Sequence, residues 1–246
     1  LIMLDEADTA PVEANLGEFV KIATERLAKR GVLKVMFCLA GQSALMTRLR
    51  QSHESSVRIF QVLEMGPLRT KERIEVVERG LSLANERNEQ ATTIDVEATN
   101  LLASLSEGYP HFLQQFAHSA FNADTDDRIS QEDVSLGTVS ENGAIAQLGQ
   151  KYFSEMYFSK IWSDDYRRVL DFMAQHGDDW VTRKDIIAGC KVSDSNVTNA
   201  LAALKKREII LADEARKGFY RLPTRSFATW ITVRNEAQEE NMTGSA

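Results

Sequence analysis

The chain opens with an apolar run that leads directly into two acids, Leu1-Ile2-Met3-Leu4-Asp5-Glu6. Four consecutive apolar residues are typical of a strand that is buried on both faces, as in a parallel sheet. In an open parallel sheet, ligands bind at the carboxyl ends of the strands. The sequence therefore predicts a buried first strand that places Asp5 and Glu6 on the ligand-binding edge.

A helix and a second strand follow the two acids. Apolar residues recur at helical spacing from Ala14 to Lys29, and Gly31 is a helix stop signal. The mostly apolar run from Leu33 to Ala40 predicts the second strand. Strand, helix and strand in this order form the βαβ unit of a parallel sheet with a right-handed crossover. We therefore expect Gln42 and Ser43, which follow the second strand, to lie beside the acids.

The first strand and its acids resemble the Walker B element of P-loop NTPases. The resemblance implies that Asp5 binds Mg²⁺ and that Glu6 polarises the attacking water. No G-x-x-x-x-G-K-[ST] phosphate loop occurs in the chain, which begins with Leu rather than Met. We expect a fragment, truncated before Walker B, that binds ATP poorly alone and whose full-length parent uses ATP and Mg²⁺. The alternative is a core strand that ends in an ordinary turn.

The order of the next segments is similar to that of AAA+ ATPases. There, a polar residue at the sensor 1 position orients the attacking water, and Gln42 or Ser43 would take this role. Arg58 is the candidate arginine finger, which would act in a neighbouring subunit and so implies a self-oligomer. A local salt bridge is the alternative for Arg58. The apolar run 60–65 is expected to be a final strand of the core.

Residues 67–142 show helical signals and no strand pattern, which predicts a helical lid. Lys71 begins a periodic segment, Asp95 is a potential N-cap, and Pro110 suits the first turn of a helix. Ser130 and Asp133 have the spacing of a capping box.

The segment Gly108-Tyr109-Pro110 resembles the G-x-P sequence that begins the sensor 2 helix of origin-recognition-type initiators and related ATPases. Many AAA+ proteins place an arginine there that contacts the nucleotide, and His111 occupies the corresponding place. His111 would be fully charged only if its pKa were raised. The alternative for His111 is a structural histidine at a helix N-terminus.

The segment 163–235 resembles a winged helix-turn-helix. Two short helices lead to a third helix, capped by Ser193, whose apolar positions Val197, Leu201 and Leu204 face the core. A hairpin with a polar turn follows. In such a domain the third helix enters the major groove and the wing binds phosphates. The resemblance gives these candidate DNA-binding residues: Asn196, Asn199, Lys205, Lys206, Arg216, Lys217 and Arg221.

The charge distribution supports a polyanionic partner. Residues 178–235 contain eleven Lys and Arg against seven Asp and Glu, whereas the whole chain has a net charge of −7. An ordinary solvated surface is the alternative. Two isolated cysteines, Cys38 and Cys190, provide neither a disulfide framework nor a cysteine-based zinc site, and no apolar stretch is long enough to cross a membrane. A cytoplasmic protein is expected.

These features predict an α/β plus α protein that resembles an AAA+ ATPase of the origin-recognition-initiator and archaeal type. The predicted domains are a partial α/β core at 1–66, a helical lid at 67–142, a connecting helix at 143–162, a winged helix at 163–235 and a flexible tail at 236–246. The resemblance implies an ATPase that couples ATP to assembly on double-stranded DNA. Two alternatives remain: a STAND-like signalling ATPase whose winged helix binds protein, and a non-catalytic winged-helix binding protein. A DEAD-box helicase is excluded because neither the Ser-Ala-Thr motif nor an H-x-x-G-R-x-x-R signature follows Asp5.

Overall fold

The chain divides into two compact units, which are described separately. The computed structural model describes residues 1–42 and 44–243, and side-chain surroundings up to residue 238. The first unit comprises Leu1–Met65, and the second begins at Gly66. Within the described residues, none of the helices is both long and apolar enough to cross a bilayer.

The first unit is a small α/β arrangement around one strand pair. Strands β1 and β2 pair in parallel with Ile2 opposite Phe37 and Leu4 opposite Leu39, as the βαβ pattern predicts. The elements of this unit are β1 (Ile2–Leu4), α1 (Leu16–Lys29), β2 (Phe37–Leu39) and α2 (Ala44–Ser52), with 3₁₀ turns at Ala7–Thr9, Val12–Ala14 and Ser56–Ile59.

The expectation of a strand buried on both faces is wrong for β1. Leu1 and Met3 are 70% and 69% exposed. In the described chain β1 pairs only with β2, and a two-stranded sheet has too little surface to enclose its own side chains. The second strand is also shorter than the predicted 33–40 because only Phe37–Leu39 lie opposite β1.

The predicted final core strand at 60–65 is also wrong. Residues 60–69 form neither helix nor strand in the described structure, and Leu63 and Met65 are 79% and 90% exposed. An apolar run becomes a strand only where a neighbouring strand accepts its backbone hydrogen bonds, and no strand is paired with this segment.

The second unit contains most of the helices. Its first part is mainly helical. A helix that continues into two π-helical turns follows, and the last part contains both helices and a small sheet. The elements are α3 (Thr70–Asn85), β3 (Thr93–Ile94), α4 (Val96–Leu105), α5 (Pro110–Ala123), β4 (Arg128–Ile129), α6 (Gln131–Val139), α7 (Ala144–Leu148), π-helical turns at Gly149–Phe153 and Glu155–Ser159, α8 (Asp164–Ala174), β5 (Val181–Thr182), α9 (Arg183–Gly189), α10 (Asp194–Lys206), β6 (Leu211–Ala212), β7 (Phe219–Arg221) and α11 (Arg225–Thr243).

Two local signals in the helical part are confirmed, whereas Asp95 lies at the N-cap position of α4 but makes no side-chain capping hydrogen bond in the described structure. Pro110 occupies the first turn of α5, and Ser130 and Asp133 form the capping box of α6. The sequence predicts no strand here, yet Thr93–Ile94 and Arg128–Ile129 pair in parallel. Strands of two residues carry too little pattern to be recognised in a sequence.

The C-terminal part packs three helices against a three-stranded antiparallel sheet. The strand order is β5-β7-β6, with Val181 and Ala212 both opposite Tyr220. Ser193 caps α10 by accepting a hydrogen bond from the backbone N–H of Asn196 at 3.4 Å. We call residues 164–222 the α8–β7 region.

One long helix, α11, was not predicted. The sequence predicts a flexible tail at 236–246, whereas α11 runs to Thr243. Residues 244–246 lie outside the described residues. Trp230 packs so closely on Gly149 that a Cβ there would lie 2.0 Å from the Trp230 Nε1 atom. The buried residues of this unit form one continuous core from Val77 to Ile231. The α8–β7 region contributes buried residues to this core and is held in place by it.

Candidate functional site

The carboxyl ends of β1 and β2 form one edge that carries the two acids. After β1, the backbone N–H of Ala7 donates to the carbonyl of Ala40 at 2.9 Å. The Asp8 carboxylate accepts a hydrogen bond from the backbone N–H of Gln42 at 3.1 Å. These two bonds hold the segment with Asp5 and Glu6 beside the segment that follows β2, as the parallel pairing predicts. We call this edge the acidic rim.

The backbone turns sharply between the two acids. One carboxylate oxygen of Asp5 accepts a hydrogen bond from the N–H of Glu6 at 2.9 Å. Glu6 lies in the left-handed region with φ 51° and ψ 33°, which is uncommon for a residue other than glycine. Its carbonyl accepts from both the backbone N–H and the hydroxyl of Thr9, at 2.9 and 2.8 Å. The turn therefore presents two exposed carboxylates to solvent from a fixed backbone.

The carboxylate oxygens of the acidic rim can bind Mg²⁺ only if other ligands complete its coordination. Among the described residues, no three His, Cys, Asp or Glu side chains are grouped to hold a metal. The Asp5 carboxylate uses one oxygen for the Glu6 N–H, which leaves its second oxygen free. Mg²⁺ at nucleotide sites keeps several waters and takes one or two carboxylates together with phosphate oxygens. A single free carboxylate oxygen of this kind suits a magnesium ion that phosphate oxygens also hold.

The remaining predicted residues of the first unit have different surroundings. The Gln42 side chain is exposed near the acidic rim, and Ser43 lies outside the described residues. Arg58 is exposed on the 56–59 turn, which is anchored by a 2.8 Å hydrogen bond from the buried hydroxyl of Ser56 to Leu49. Within the described residues Arg58 has no side-chain hydrogen bond or ion pair. Arg48, by contrast, donates to the carbonyl of Ala10 at 2.9 Å.

His111 belongs to the second unit, where its ring contacts two aromatic neighbours. Its ring packs against Phe112 and Tyr152, with centroid distances of 4.5 and 4.8 Å. Burial by these neighbours lowers the pKa of His111 from 6.5. Partial desolvation of the ring disfavours the imidazolium, which is the charged form that contact with a nucleotide would need.

Helix α10 presents one polar face to solvent. Val197, Leu201 and Leu204 are buried, as their spacing predicts. The opposite face exposes Asn199, Lys205 and Lys206, and none of these three side chains has a hydrogen-bond or ion-pair partner among the described residues.

The side chain of Asn196 already has a hydrogen-bond partner within the protein, which the sequence does not predict. Its side-chain amide donates to the Asp165 carboxylate of α8 at 2.7 Å. Thr198 on the exposed side of α10 was missed; its hydroxyl accepts from Arg183 at 2.7 Å. This contact joins α9 to α10 across fifteen residues, so the sequence alone gives no signal for it.

Of the three predicted cations in the β6–β7 turn and in β7, only Lys217 has no partner among the described residues. Arg216 donates to the Asp213 carboxylate at 2.6 Å, and this bond lowers the pKa of Asp213. The guanidinium of Arg221 lies 5.1 Å from the centre of the Trp180 ring. Lys217 is exposed and has no partner in the described part of the chain.

Comparison with solved structures identifies the class of fold. The chain is similar to a Walker-type ATPase of Pyrococcus abyssi, with 15% identity and a TM-score of 0.52 over 94% of this chain and 62% of that protein. It is also similar to the ORC2 protein of Aeropyrum pernix in ADPNP–ADP complexes, with 16% identity and a TM-score of 0.54 over 98% of this chain and 65% of that protein.

The fold is thus like that of AAA+ ATPases of the ORC type. The chain spans less than two thirds of the length of either similar protein. No family model matches the chain, and no curated protein matches it.

Proposed function

We propose that the protein is part of a DNA-associated AAA+ ATPase in which the α8–β7 region is a winged helix that binds duplex DNA. The fold similarity supports the ATPase class, because one similar structure is named a Walker-type ATPase and the other was solved in ADPNP–ADP complexes. The element order of the α8–β7 region, with three helices and a β6–β7 hairpin, is compatible with the winged-helix assignment.

The exposed face of α10 is the observation that carries the DNA proposal. Buried Val197, Leu201 and Leu204 fix the helix against the core of the unit, so its outer face is held rigidly. Asn199 has the amide geometry for a bidentate contact with adenine in the major groove. Lys205 and Lys206 at the end of α10 and Lys217 in the turn supply charges for phosphates.

The acidic rim would supply the hydrolytic residues of such an ATPase. Asp5 would hold Mg²⁺, which neutralises charge on the phosphates when it is bound. Glu6, whose carboxylate has no ion-pair partner among the described residues, would orient the attacking water, assisted by Gln42 or Ser43. Arg58 would reach the site of a neighbouring copy, since its guanidinium is exposed and has no partner among the described residues.

A salt series of duplex binding tests the DNA proposal. Fluorescence anisotropy of a labelled duplex of about 20 base pairs should show affinity that falls steeply with salt. Lys205→Glu with Lys206→Glu should weaken binding and reduce the salt slope by about 2, because each lost phosphate contact removes about one released counterion. Lys71→Glu with Arg79→Glu makes the same charge change on α3 and should leave the slope unchanged. Equal slopes for both double variants contradict the proposal.

The acids require a separate test because this chain has no phosphate loop. In a longer natural chain that supplies the loop, Glu6→Gln should spare ATP binding and abolish turnover. Retained hydrolysis contradicts the assigned role. Turnover per subunit that rises with protein concentration, and that Arg58→Ala abolishes, supports the arginine finger.

Protein binding by the α8–β7 region is the second candidate function, as in STAND-like signalling ATPases. Two observations favour it: Asn196 and Arg216 are engaged by Asp165 and Asp213. Asp194 and Glu208 also flank α10 and would repel phosphate. No duplex binding even at low salt would favour this candidate over the first.

A further inference from the structure

An apolar groove lies between α3 and α5 in the second unit. Its volume is about 390 Å³. Val77, Leu102 and Leu113 are buried core residues along its lining. Val76 and Phe121, 36% and 37% exposed, also line it. The lining of the groove includes no residue of α10, and the proposed function does not use it.

The groove follows both helices lengthwise. On α3 its lining includes Val76, Gly80 and Ala84, which are spaced four residues apart and span ~12 Å. On α5 it includes Gln114 and Phe121, two turns apart. A trough between two helices suits a row of side chains from a third helix better than a compact small molecule.

No packing contact within the described structure requires a glycine at position 80. The other helical glycines, Gly17, Gly137, Gly149 and Gly189, each lie where a Cβ would approach another atom within 2.5 Å, whereas a Cβ at Gly80 would meet nothing within 4 Å. Glycine inside a helix costs stability relative to alanine. The open space beside Gly80 allows close approach of an external backbone or a large side chain.

The electrostatic charge at one end of the groove indicates which charge a bound partner should carry at that end. Thr93 and Arg128 pair in parallel just after α3 and α5, so the carboxyl ends of both helices lie at the same end of the groove. The turn Asp124–Asp127 is located there, and Asp127 accepts a hydrogen bond from the Gln90 side chain. Arg128 is paired with Asp95 at 2.9 Å. The helix dipoles and the turn therefore present net negative charge.

We propose that the α3–α5 groove binds one amphipathic helix of a partner protein, with apolar residues at i, i+4 and i+7 facing Gly80 and a Lys- or Arg-rich end over the Asp124–Asp127 turn. The apolar row fits the lining, and the basic end complements the acidic turn. The interaction is independent of nucleotide and DNA.

A designed peptide provides the probe. A fluorescein-labelled alanine-based peptide of about twenty residues, long enough to be helical in water, carries leucines at the stated spacing and lysines at one end. Its binding to the whole chain is measured by anisotropy against a peptide of the same composition in scrambled order. A third peptide with glutamates in place of the lysines should bind about tenfold more weakly.

Gly80→Leu is the decisive variant. It fills open space and leaves the core untouched, so circular dichroism should show an intact fold while peptide affinity falls by at least about tenfold. Ser82→Leu places the same side chain on α3 outside the groove and should bind like the wild type. Val76→Glu, at a half-exposed groove position, gives a second test that does not depend on Gly80.

Three outcomes overturn the proposal. The first is equal binding of the patterned and scrambled peptides, and the second is unchanged binding to Gly80→Leu. The third is uptake of the apolar dye anilinonaphthalene sulfonate by the wild type, blocked by Gly80→Leu, with no peptide binding. That result assigns the groove to small apolar molecules.

Discussion

The first unit has a small buried core and leaves much of its apolar surface in contact with solvent, whereas the second has a large, continuous buried core. In the described part of the first unit, the core cluster comprises Ala7, Leu45 and Leu49. The second unit has one buried core from Val77 to Ile231. Because apolar burial is the main favourable term in folding, the two units should differ strongly in local stability. The acidic rim is therefore carried by the weaker unit and helix α10 by the stronger one.

Matched leucine truncations give the largest expected effect and test this difference directly. Leu204→Ala in the second unit should lower the free energy of unfolding by about 2–5 kcal/mol, because it opens a cavity in a closed core. Leu49→Ala should raise hydrogen exchange in 1–65 only. Thermal melts followed by exchange mass spectrometry separate the two results. A similar loss of exchange protection across the whole chain in both variants would refute the unequal cores.

Two crowded glycines test the same contrast through packing. A Cβ at Gly149 would lie 2.0 Å from Trp230 Nε1, and one at Gly17 would lie 2.5 Å from the Leu49 carbonyl oxygen. Gly149→Ala should destabilise the second unit by ~1–3 kcal/mol through overpacking. Gly17→Ala should disturb only the first unit. Trp230 fluorescence should shift in Gly149→Ala alone, and an unchanged spectrum would contradict the contact.

Glu107 stabilises the second unit by joining its helical part to α11. Its carboxylate accepts from the backbone N–H groups of Arg225 and Ser226 at 2.9 and 3.0 Å and from the Ser226 hydroxyl at 3.1 Å. Glu107→Ala should cost ~1–2 kcal/mol, the usual value of a lost helix cap.

Conservative replacement separates the cap from other effects of that substitution. Glu107→Gln, which keeps an acceptor oxygen, should cost less than Glu107→Ala, and Glu141→Ala at an exposed site should cost nothing measurable. Denaturant unfolding with exchange at 225–228 measures the difference. Equal losses for the Ala and Gln variants would exclude a capping role.

The smallest effect concerns the capping box of α6 and depends on pH. Hydrogen bonds from the Ser130 hydroxyl and backbone N–H lower the pKa of Asp133 from 3.8. A carboxylate whose pKa is lowered by folding stabilises the protein above its unfolded pKa, and this stabilisation is lost as the pH falls through the lower folded value. Asp133→Asn should therefore cost about 0.5–1 kcal/mol at pH 7.

The pH series supplies its own control. The difference between wild type and Asp133→Asn should shrink as the pH falls below about 4, whereas Glu132→Gln on the same turn should show no such change. A difference in the free energy of unfolding that stays constant across the pH range would show that hydrogen bonding to the ionised Asp133 does not cause it.

Local signals in the sequence predicted the helices well. Pro110, Ser130 with Asp133, and Ser193 mark helix starts because each satisfies, or dispenses with, a backbone N–H at a helix end. The parallel β1–β2 pair was also predicted. The strand at 60–65 was wrong, because strand formation depends on a partner elsewhere in the chain.

The candidate sites were predicted unevenly. The sequence placed Asp5, Glu6 and Gln42 on one edge because parallel strands end together. It could not show that Asp165 holds Asn196 or that Tyr152 packs on the ring of His111, because both depend on residues distant in the chain. The role of Glu107 was equally hidden, since its partners lie more than a hundred residues away.

The sequence by itself determined the periodic faces, the caps and the opening strand with its two acids, all of which follow from neighbours within a few residues. Only the tertiary structure decided burial, because accessibility depends on which elements meet. For that reason the Leu1–Leu4 run, apolar enough for a buried strand, is exposed beside a single partner. The α3–α5 groove likewise exists only where the two helices meet around Gly80.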